Sequence, residues 1–288
     1  DYYSNLNKEF HEINFNGIAF NSNLVKKNYI FFAIKGNNLD GNKYIKNAIK
    51  NGSKIIISAK VKERLENNIL YLKNKNPRKL LAEFAVKLNN RHPNNLVAVT
   101  GTNGKSSIAN FYYQILKLNK KKVSSIGTLG IEGINYKKKI SNTTYDPIVL
   151  NNILTILKKK NINNVILEAS SHGLKQHRLD GLKFNLGIFT NLSRDHLDYH
   201  KTYKDYFDSK LILFKKLMKK KSNIIFDQDL NIANKIRKIA KKNNLKQLSI
   251  GSNNSDLVVI DHKFLNFNQH VRIFYKNNIY NFSTQLIG

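Results

Sequence analysis

Cysteine is absent from all 288 residues, which excludes a disulfide framework, a thiolate metal site and a cysteine nucleophile. No apolar run approaches the ~18 residues of a membrane span, and at 41% hydrophobic residues the chain is expected to be soluble and globular. The opening DYYSNLNKEF has neither the basic n-region nor the apolar core of a secretory signal. Asp1 rather than Met stands first, as in a processed or trimmed piece of a longer protein. Internal repeats are lacking too. Acidic residues are scarce, 19 against 49 Lys and Arg, for a net charge of +30. Such an excess ordinarily points to nucleic acid or an anionic surface. Here Lys is scattered through nearly every segment with Asn abundant beside it, the pattern that a Lys/Asn codon bias produces. The runs Lys158-Lys159-Lys160 and Lys219-Lys220-Lys221 are expected at helix ends, where cations suit the dipole. No Arg/Lys–aromatic stripe of the recognition type is present, so no nucleic-acid partner is expected.

What the sequence does have is the stretch Leu96 to Ser107, LVAVTGTNGKSS. Val97-Ala98-Val99 reads as a buried strand, Gly101-Thr102-Asn103-Gly104 as a turn, and Ile108 to Leu118 as a helix. Strand, glycine turn and helix N-terminus together make an anion site, where backbone N–H groups converge and the dipole favours negative charge. Lys105 is placed to reach terminal phosphates and the Ser106 hydroxyl to bind Mg²⁺. Val99 occupies the position where the strict Walker pattern has glycine, so this is a shorter Gly-x-x-Gly-Lys-Ser loop.

The length suggests about two domains. Residues 1–90 read as a small α/β unit. Tyr29 to Ile34 is a strand, Lys35 to Gly41 a turn-rich loop, Tyr44 to Lys50 a helix stopped by Asn51-Gly52, and Lys54 to Ser58 the next strand. This order implies a parallel sheet with the loop at a strand's carboxyl end. Pro77 to Leu88 reads as a helix with Pro in its first turn, and Arg91 to Asn95 breaks the pattern. Residues 91–288 read as a second α/β unit, with a mostly parallel sheet carrying the phosphate loop. Its further strands lie around Val123–Gly130, Asn163–Glu168 and Gly187–Asn191, a helix around Ile148–Leu157, and a hairpin-rich β segment from Leu257 to Gly288.

Four loops at strand ends carry polar residues: 101–107, 142–144, 168–178 and 191–200. Their convergence at one sheet edge would form an ATP–metal site beside an acceptor site. Glu168, ending an apolar strand, supplies the oxygen ligand that Mg²⁺ needs. Taken singly, Glu168 is a solvated strand-end acid and His196 a core histidine. Beside a phosphate loop both become site candidates.

Taken together, Gly101 to Ser106, Ile126-Gly127-Thr128-Leu129-Gly130, Glu168 to Leu174, Gln176-His177-Arg178 and Asn191 to His200 resemble the Mur ligase family. The likeness is closest to its MurE-type branch, which adds the third peptide residue to UDP-N-acetylmuramoyl-L-alanyl-D-glutamate. It spans nearly the whole chain in order. Phe20-Asn21-Ser22 and Gly36 to Gly41 resemble that family's uridine-nucleotide contacts, which implies a UDP-sugar role for Asn21, Ser22, Asn37, Asn38 and Leu39. The resemblance implies ATP held by Gly101, Thr102, Asn103, Gly104, Lys105, Ser106 and Ser107, with one Mg²⁺ through Ser106. It places Glu168 and His196 at the metals, and Asn142, Thr143, Thr144, Ser170, Gln176 and Arg178 at the UDP-muramoyl-dipeptide. It also matches Lys210 to the lysine that is carbamylated in the family. Without it, Lys210 is one Lys of many on a helix.

The reaction so implied is attack of a carboxylate on the ATP γ-phosphate, then displacement of phosphate from the acyl phosphate by an amino group. A bacterial, cytoplasmic, monomeric enzyme without membrane insertion is implied. Two substitutions depart from the family pattern: Ser106 stands where Thr is common, and Tyr145 follows Asn-Thr-Thr where Pro is expected. Gln285 to Gly288 resembles the last strand of the central domain. The C-terminal domain that selects the amino acid is therefore expected to lie outside this chain, which is expected to be inactive alone. The rival readings are another member of the superfamily, such as a folylpolyglutamate synthetase, and a basic nucleic-acid-binding NTPase with steeply salt-dependent binding. The Ser-Ser-His-Gly-Leu and Gln-His-Arg runs and the uridine-type loop argue against the first.

Overall fold

The computed structural model describes residues 13–36, 39–135, 142–265 and 267–286. The chain forms two compact units. One comprises Asp1–His92 with Asp146–Ile156 and Gln176–Leu182, the other Pro93–Tyr145, Leu157–Lys175 and Lys183–Gly288.

The first unit holds strands β1 (Gly17–Ala19), β2 (Tyr29–Ala33), β3 (Ser53–Ser58), β4 (Arg64–Glu66) and β5 (Ile69–Lys73), with helices α1 (Ile45–Lys50) and α2 (Pro77–Leu88). The sheet order is β1-β2-β3-β5-β4, parallel except where β4 meets β5. Strands β2 and β3 are apolar on both faces, as a sheet covered on both sides requires. Ile30, Phe32, Ile55, Ile57 and Leu70 pack with Leu80, Leu81 and Ala85 of α2. Phe31, Ala33, Ile56 and Ile69 pack with Ala48 of α1 on the other face. The α2 helix starts as its sequence dictates, with the Asn76 side chain accepting from the Lys79 N–H and Pro77 in the first turn.

The second unit holds β6 (Asn95–Thr100), β7 (Val123–Gly127), β8 (Gly130–Glu132), β9 (Asn164–Glu168), β10 (Phe184–Phe189), β11 (Met218–Asp227), β12 (Lys246–Gly251), β13 (Leu257–Leu265), β14 (Asn268–Tyr275) and β15 (Asn278–Thr284). Its helices are α3 (Lys105–Leu118), α4 (Pro147–Lys159, whose first part belongs to the other unit), α5 (Ser171–Lys175), α6 (Leu197–His200), α7 (Tyr203–Ile212) and α8 (Ala233–Lys242). The sheet runs β15-β14-β13-β12-β11-β10-β6-β9-β7-β8. It is parallel from β13 to β7, with β8 antiparallel at one edge and β14 and β15 paired antiparallel at the other. From β6 the chain crosses to β7, past the place later filled by β9, while β10 pairs on the other side of β6. Strand order diverges at β6, and its carboxyl end is where an open α/β sheet leaves a crevice. No described helix is long and apolar enough to cross a membrane.

The α/β class, the parallel sheets and the terminal hairpins are as expected from the sequence. One expectation fails: Lys219, Lys220 and Lys221 do not end a helix but lie in β11. There the β10–β11 register jumps from Phe184↔Met218 to Leu186↔Asn223, so the lysines bulge from the ladder into solvent. The sequence reading also passed over β1, β4 and β5, of three, three and five residues, too short for a periodic signal. Beyond β15, Gln285 and Leu286 are not in a strand, and Ile287 and Gly288 lie outside the described residues.

Ile56 is fully buried in the middle of β3. Ile56→Ala is expected to cost about 2–5 kcal/mol in urea denaturation. A cost below about 1 kcal/mol would show that this face of the sheet is not packed as described.

Candidate functional site

Strand β6 delivers the phosphate loop because its side chains, Leu96 to Thr100, are buried on both faces and its end is therefore fixed. Gly101 follows with φ 150°, and a Cβ there would stand 1.8 Å from Thr190 Oγ1, so only glycine fits. The loop is knitted to the segment after β10. Thr102 N–H donates to Asn191 O (3.0 Å), Asn103 N–H to Asn191 Oδ1 (2.9 Å), and Thr190 O–H to Asn103 O (2.6 Å). The amides of Thr102 and Asn103 are thus engaged within the protein. The first intrahelical bond of α3 runs from Ile108 N–H to Gly104 O. The N–H groups of Gly104, Lys105, Ser106 and Ser107 therefore have no intrahelical acceptor and form the positive end of the helix. An anion at the helix end would meet these four amides.

Two lysines share one carbonyl behind this loop. Lys105 Nζ donates to Gly101 O (3.1 Å) and Thr102 O (2.7 Å), and Lys210 Nζ donates to the same Gly101 O (2.6 Å). Lys210 is 1% exposed. Burial, reinforced by the Lys105 charge and partly offset by Asp195, pulls its pKa down to about 7. Burial lowers Lys105 as well, against the opposing pull of Glu168 and Asp195. One turn earlier on α7, the Tyr206 hydroxyl donates to Thr102 Oγ1 (3.1 Å), and burial pushes this phenol up, so it stays a neutral donor.

Glu168 ends β9, 3% exposed, with its carboxylate gripped by Thr128: the N–H bonds Oε1 (3.0 Å) and the hydroxyl bonds Oε2 (3.2 Å). A Cβ on Gly127 would reach 2.1 Å from Glu168 Oε1, so glycine there lets the carboxylate lie against the strand. Thr128 Oγ1 continues to Thr143 Oγ1 (3.0 Å), while Thr144 Oγ1 joins Glu168 O (2.8 Å) and Ser170 Oγ (2.9 Å). His196 takes a left-handed conformation (φ 51°), its N–H on Asp195 Oδ1 and its ring against His172. Beside it, His200 is fully buried between the Ser171 and Ser209 hydroxyls. Burial, then the charges of Lys175 and His172, lower its pKa to about 4, which keeps it neutral.

These groups converge on a cavity of about 260 Å³ within the second unit. Of the residues expected from sequence, Thr102, Asn103, Gly104, Lys105, Ser106, Ser107, Thr143, Glu168, Ser170, His196 and Lys210 line it. Gly101 lies behind the loop, Thr144 is buried beneath Glu168, and the exposed Asn142 is not among the lining residues. Thr128, Ser171 and Tyr206 also line it. In the sequence, Thr128 and Ser171 stand within quoted motifs without a role of their own, and no local pattern marks Tyr206.

The remaining expected residues belong to the first unit. Asn21 accepts from the Asn23 N–H and caps a short 3-10 turn, and the Ser22 hydroxyl accepts from Asn47 Nδ2 (3.0 Å). Leu39 is two-thirds exposed, and Asn37 and Asn38 lie outside the described residues. Arg178 donates through two nitrogens to Gln176 Oε1 (3.1 and 2.8 Å).

Comparison with known proteins places this geometry in a family context. Residues 99–288 match the Mur ligase middle domain, and residues 14–87 match the Mur ligase family, catalytic domain. UDP-N-acetylmuramoyl-L-alanyl-D-glutamate--2,6-diaminopimelate ligase of Rickettsia conorii is 35% identical over 99% of this chain and 60% of its own length. The ligase of the same name from Wigglesworthia glossinidia brevipalpis is 40% identical over 84% of this chain and 52% of its own. A solved structure of a ligase of this name superposes with a TM-score of 0.81 at 26% identity, over 95% of this chain and 56% of that one. The chain thus spans at most about 60% of the length of these relatives.

The electrostatics of Lys210 carry a testable consequence. Between about pH 7 and the ordinary lysine value of 10.5, the unfolded chain holds a proton that the folded chain has released. Stability therefore rises with pH across that window, and below it the full cost of burying the ammonium is present. In buffer purged of CO₂, the parent should gain stability relative to Lys210→Met from pH 7 to pH 10 in urea titrations. A gap that stays constant with pH would refute the buried, depressed amine.

Proposed function

The chain belongs to the Mur ligase family, and from that premise we propose that it serves an ATP-dependent amide ligase. In this reading the enzyme extends UDP-N-acetylmuramoyl-L-alanyl-D-glutamate by its third peptide residue. The names of the relatives point to 2,6-diaminopimelate as the amino acid added. Residues 1–90 bind the UDP-sugar and residues 91–288 bind ATP. In this reading the reaction takes place in a bacterial cytoplasm.

The observation that carries the reading is the juxtaposition, in one cavity, of the α3 N-terminus and Lys105 with the fixed carboxylate of Glu168. The amides of residues 104–107 and the Lys105 ammonium take the β- and γ-phosphates. Lys105 lies close enough to exchange its Gly101 and Thr102 carbonyls for phosphate oxygens. A carboxylate facing a polyanion is repulsive unless a cation stands between them. Glu168 and the Ser106 hydroxyl therefore fit Mg²⁺, which takes few protein oxygens and completes its shell with phosphate and water. When bound, that ion neutralises charge developing on the transferred phosphoryl group. Lys210 fits carbamylation, because a buried amine with a pKa near 7 offers the neutral form that adds CO₂. His196, on the cavity wall, stands near these groups.

Phosphoryl transfer asks the protein for positioning and charge neutralisation more than covalent help. The terminal carboxylate of the dipeptide attacks the γ-phosphorus, the bond to ADP breaks, and an acyl phosphate forms. The incoming amino group then displaces inorganic phosphate and forms the amide. Thr143 and Ser170 are the hydroxyls on the cavity wall placed to orient the acceptor. The Thr144 hydroxyl, bound to Glu168 O and Ser170, supports them from beneath. Asn142, Gln176 and Arg178 complete the acceptor contacts in this reading, and Asn21, Ser22, Asn37, Asn38 and Leu39 those of the uridine nucleotide.

In the protein carrying this sequence, Lys105→Ala should lower ADP release by about 100-fold or more. The assay supplies UDP-muramoyl-dipeptide, ATP, Mg²⁺ and a panel of amino acids. Near-normal turnover would overturn the assignment.

A further inference from the structure

Helix α7 meets the phosphate loop at Gly101 and Thr102. Tyr206 and Lys210 are four apart and so share a face of the helix. Lys210 Nζ reaches Gly101 O at 2.6 Å and lies 4.2 Å from the centre of the Tyr206 ring. The Tyr206 side chain is wholly buried, and its hydroxyl stands 3.1 Å from Thr102 Oγ1. Thr102 Oγ1 also accepts the Ser193 N–H (3.0 Å) and donates to Ser193 O (3.4 Å). A hydroxyl has one proton to give and two lone pairs, so these three bonds saturate Thr102 and fix Tyr206 as the donor. A ring needed only to fill space would not require that oxygen.

We propose that Tyr206 is a positioning residue of the nucleotide site: its O–H holds Thr102, and through it the register in which residues 104–107 and Lys105 face the phosphates. The inference rests on the nucleotide reading of the loop and extends it to a residue that contacts the loop from the side of α7. The hold is needed because the ties of Thr102 and Asn103, that from Tyr206 and those within the loop itself aside, run to one segment, residues 190–193. Tyr206 ties Thr102 to a second element, α7, whose Lys210 reaches the neighbouring Gly101. Tyr206→Phe keeps the ring, the packing and the contact with Lys210, and removes only the donor.

The test is Mg-ATP titration of the 288-residue chain by calorimetry, with amide hydrogen exchange on the nucleotide-free chain. Tyr206→Phe should weaken ATP binding about tenfold, and Thr102→Val, which also loses both bonds to Ser193, at least as much. The double variant should be no weaker than Thr102→Val alone, because that substitution already removes the bond to Tyr206. Tyr203→Phe, at an exposed tyrosine on the same helix, should bind as the parent does. In Tyr206→Phe, exchange should quicken at residues 101–104 and stay unchanged in β6, which a general loss of stability would not produce. Parental affinity in Tyr206→Phe, fully multiplicative effects in the double variant, or exchange quickened equally in β6 would each overturn the proposal. A parent that binds no ATP would sink the nucleotide reading itself. The exchange comparison, made without nucleotide, would then still decide whether Tyr206 holds the loop.

Discussion

The second unit is arranged around the approach of the Gly101 backbone to Thr190. With a Cβ position 1.8 Å from Thr190 Oγ1, two loops from neighbouring parallel strands touch along their main chains, and every later feature follows. Because the loops touch, Asn191 can take the amides of residues 102 and 103. Because those amides are taken, the polypeptide turns into α3 with only its first-turn N–H groups facing outward. The Gly101 carbonyl, turned the other way, becomes the acceptor for both Lys105 and Lys210. One contact thus brings the helix N-terminus and two lysines to the same cavity.

Much of this could be read from the residues. Lys105, Ser106 and Glu168 announce themselves by local pattern: a glycine turn between an apolar strand and a helix, and an acid at the end of an apolar strand. The partners that hold them do not. Tyr206 and Thr102 are 104 residues apart, Thr128 and Glu168 are 40 apart, and pairing at such distance is set by sheet order, which periodicity does not reveal. Helix α7 is a case in point. Tyr206, Phe207, Ser209, Lys210 and Leu211 are all buried, so no single stripe marks the face that meets the loop. Thr102 and Asn103 show what a motif leaves out: their amides are engaged by Asn191, although both residues line the cavity.

Glu168 illustrates how a site can be fixed without ionic partners. Its carboxylate is held by one amide and one hydroxyl of Thr128, and the strand end around it by Thr144 and Ser170. Neutral donors orient the carboxylate without a direct ion pair. A lysine in the place of Thr128 would hold it as firmly but neutralise it. A cavity that must attract a cation among phosphates needs the former arrangement, which ties the Ser/Thr-rich lining to the chemistry proposed above.

The same logic explains which of the many lysines carries meaning. A compositional bias toward lysine is tolerated wherever the ammonium stays in water, and the bulge at Lys219–Lys221 shows the backbone yielding to keep it there. Burial removes that tolerance, since a dry ammonium must lose its proton or find acceptors. Among the described residues Lys210 is the one lysine that is buried, and it does both: a carbonyl accepts from it, and its pKa falls toward neutrality. Composition alone hides such a residue in a chain of this charge. Its solvation singles it out, because a bias that acts on codons has no reason to place a lysine where water cannot follow.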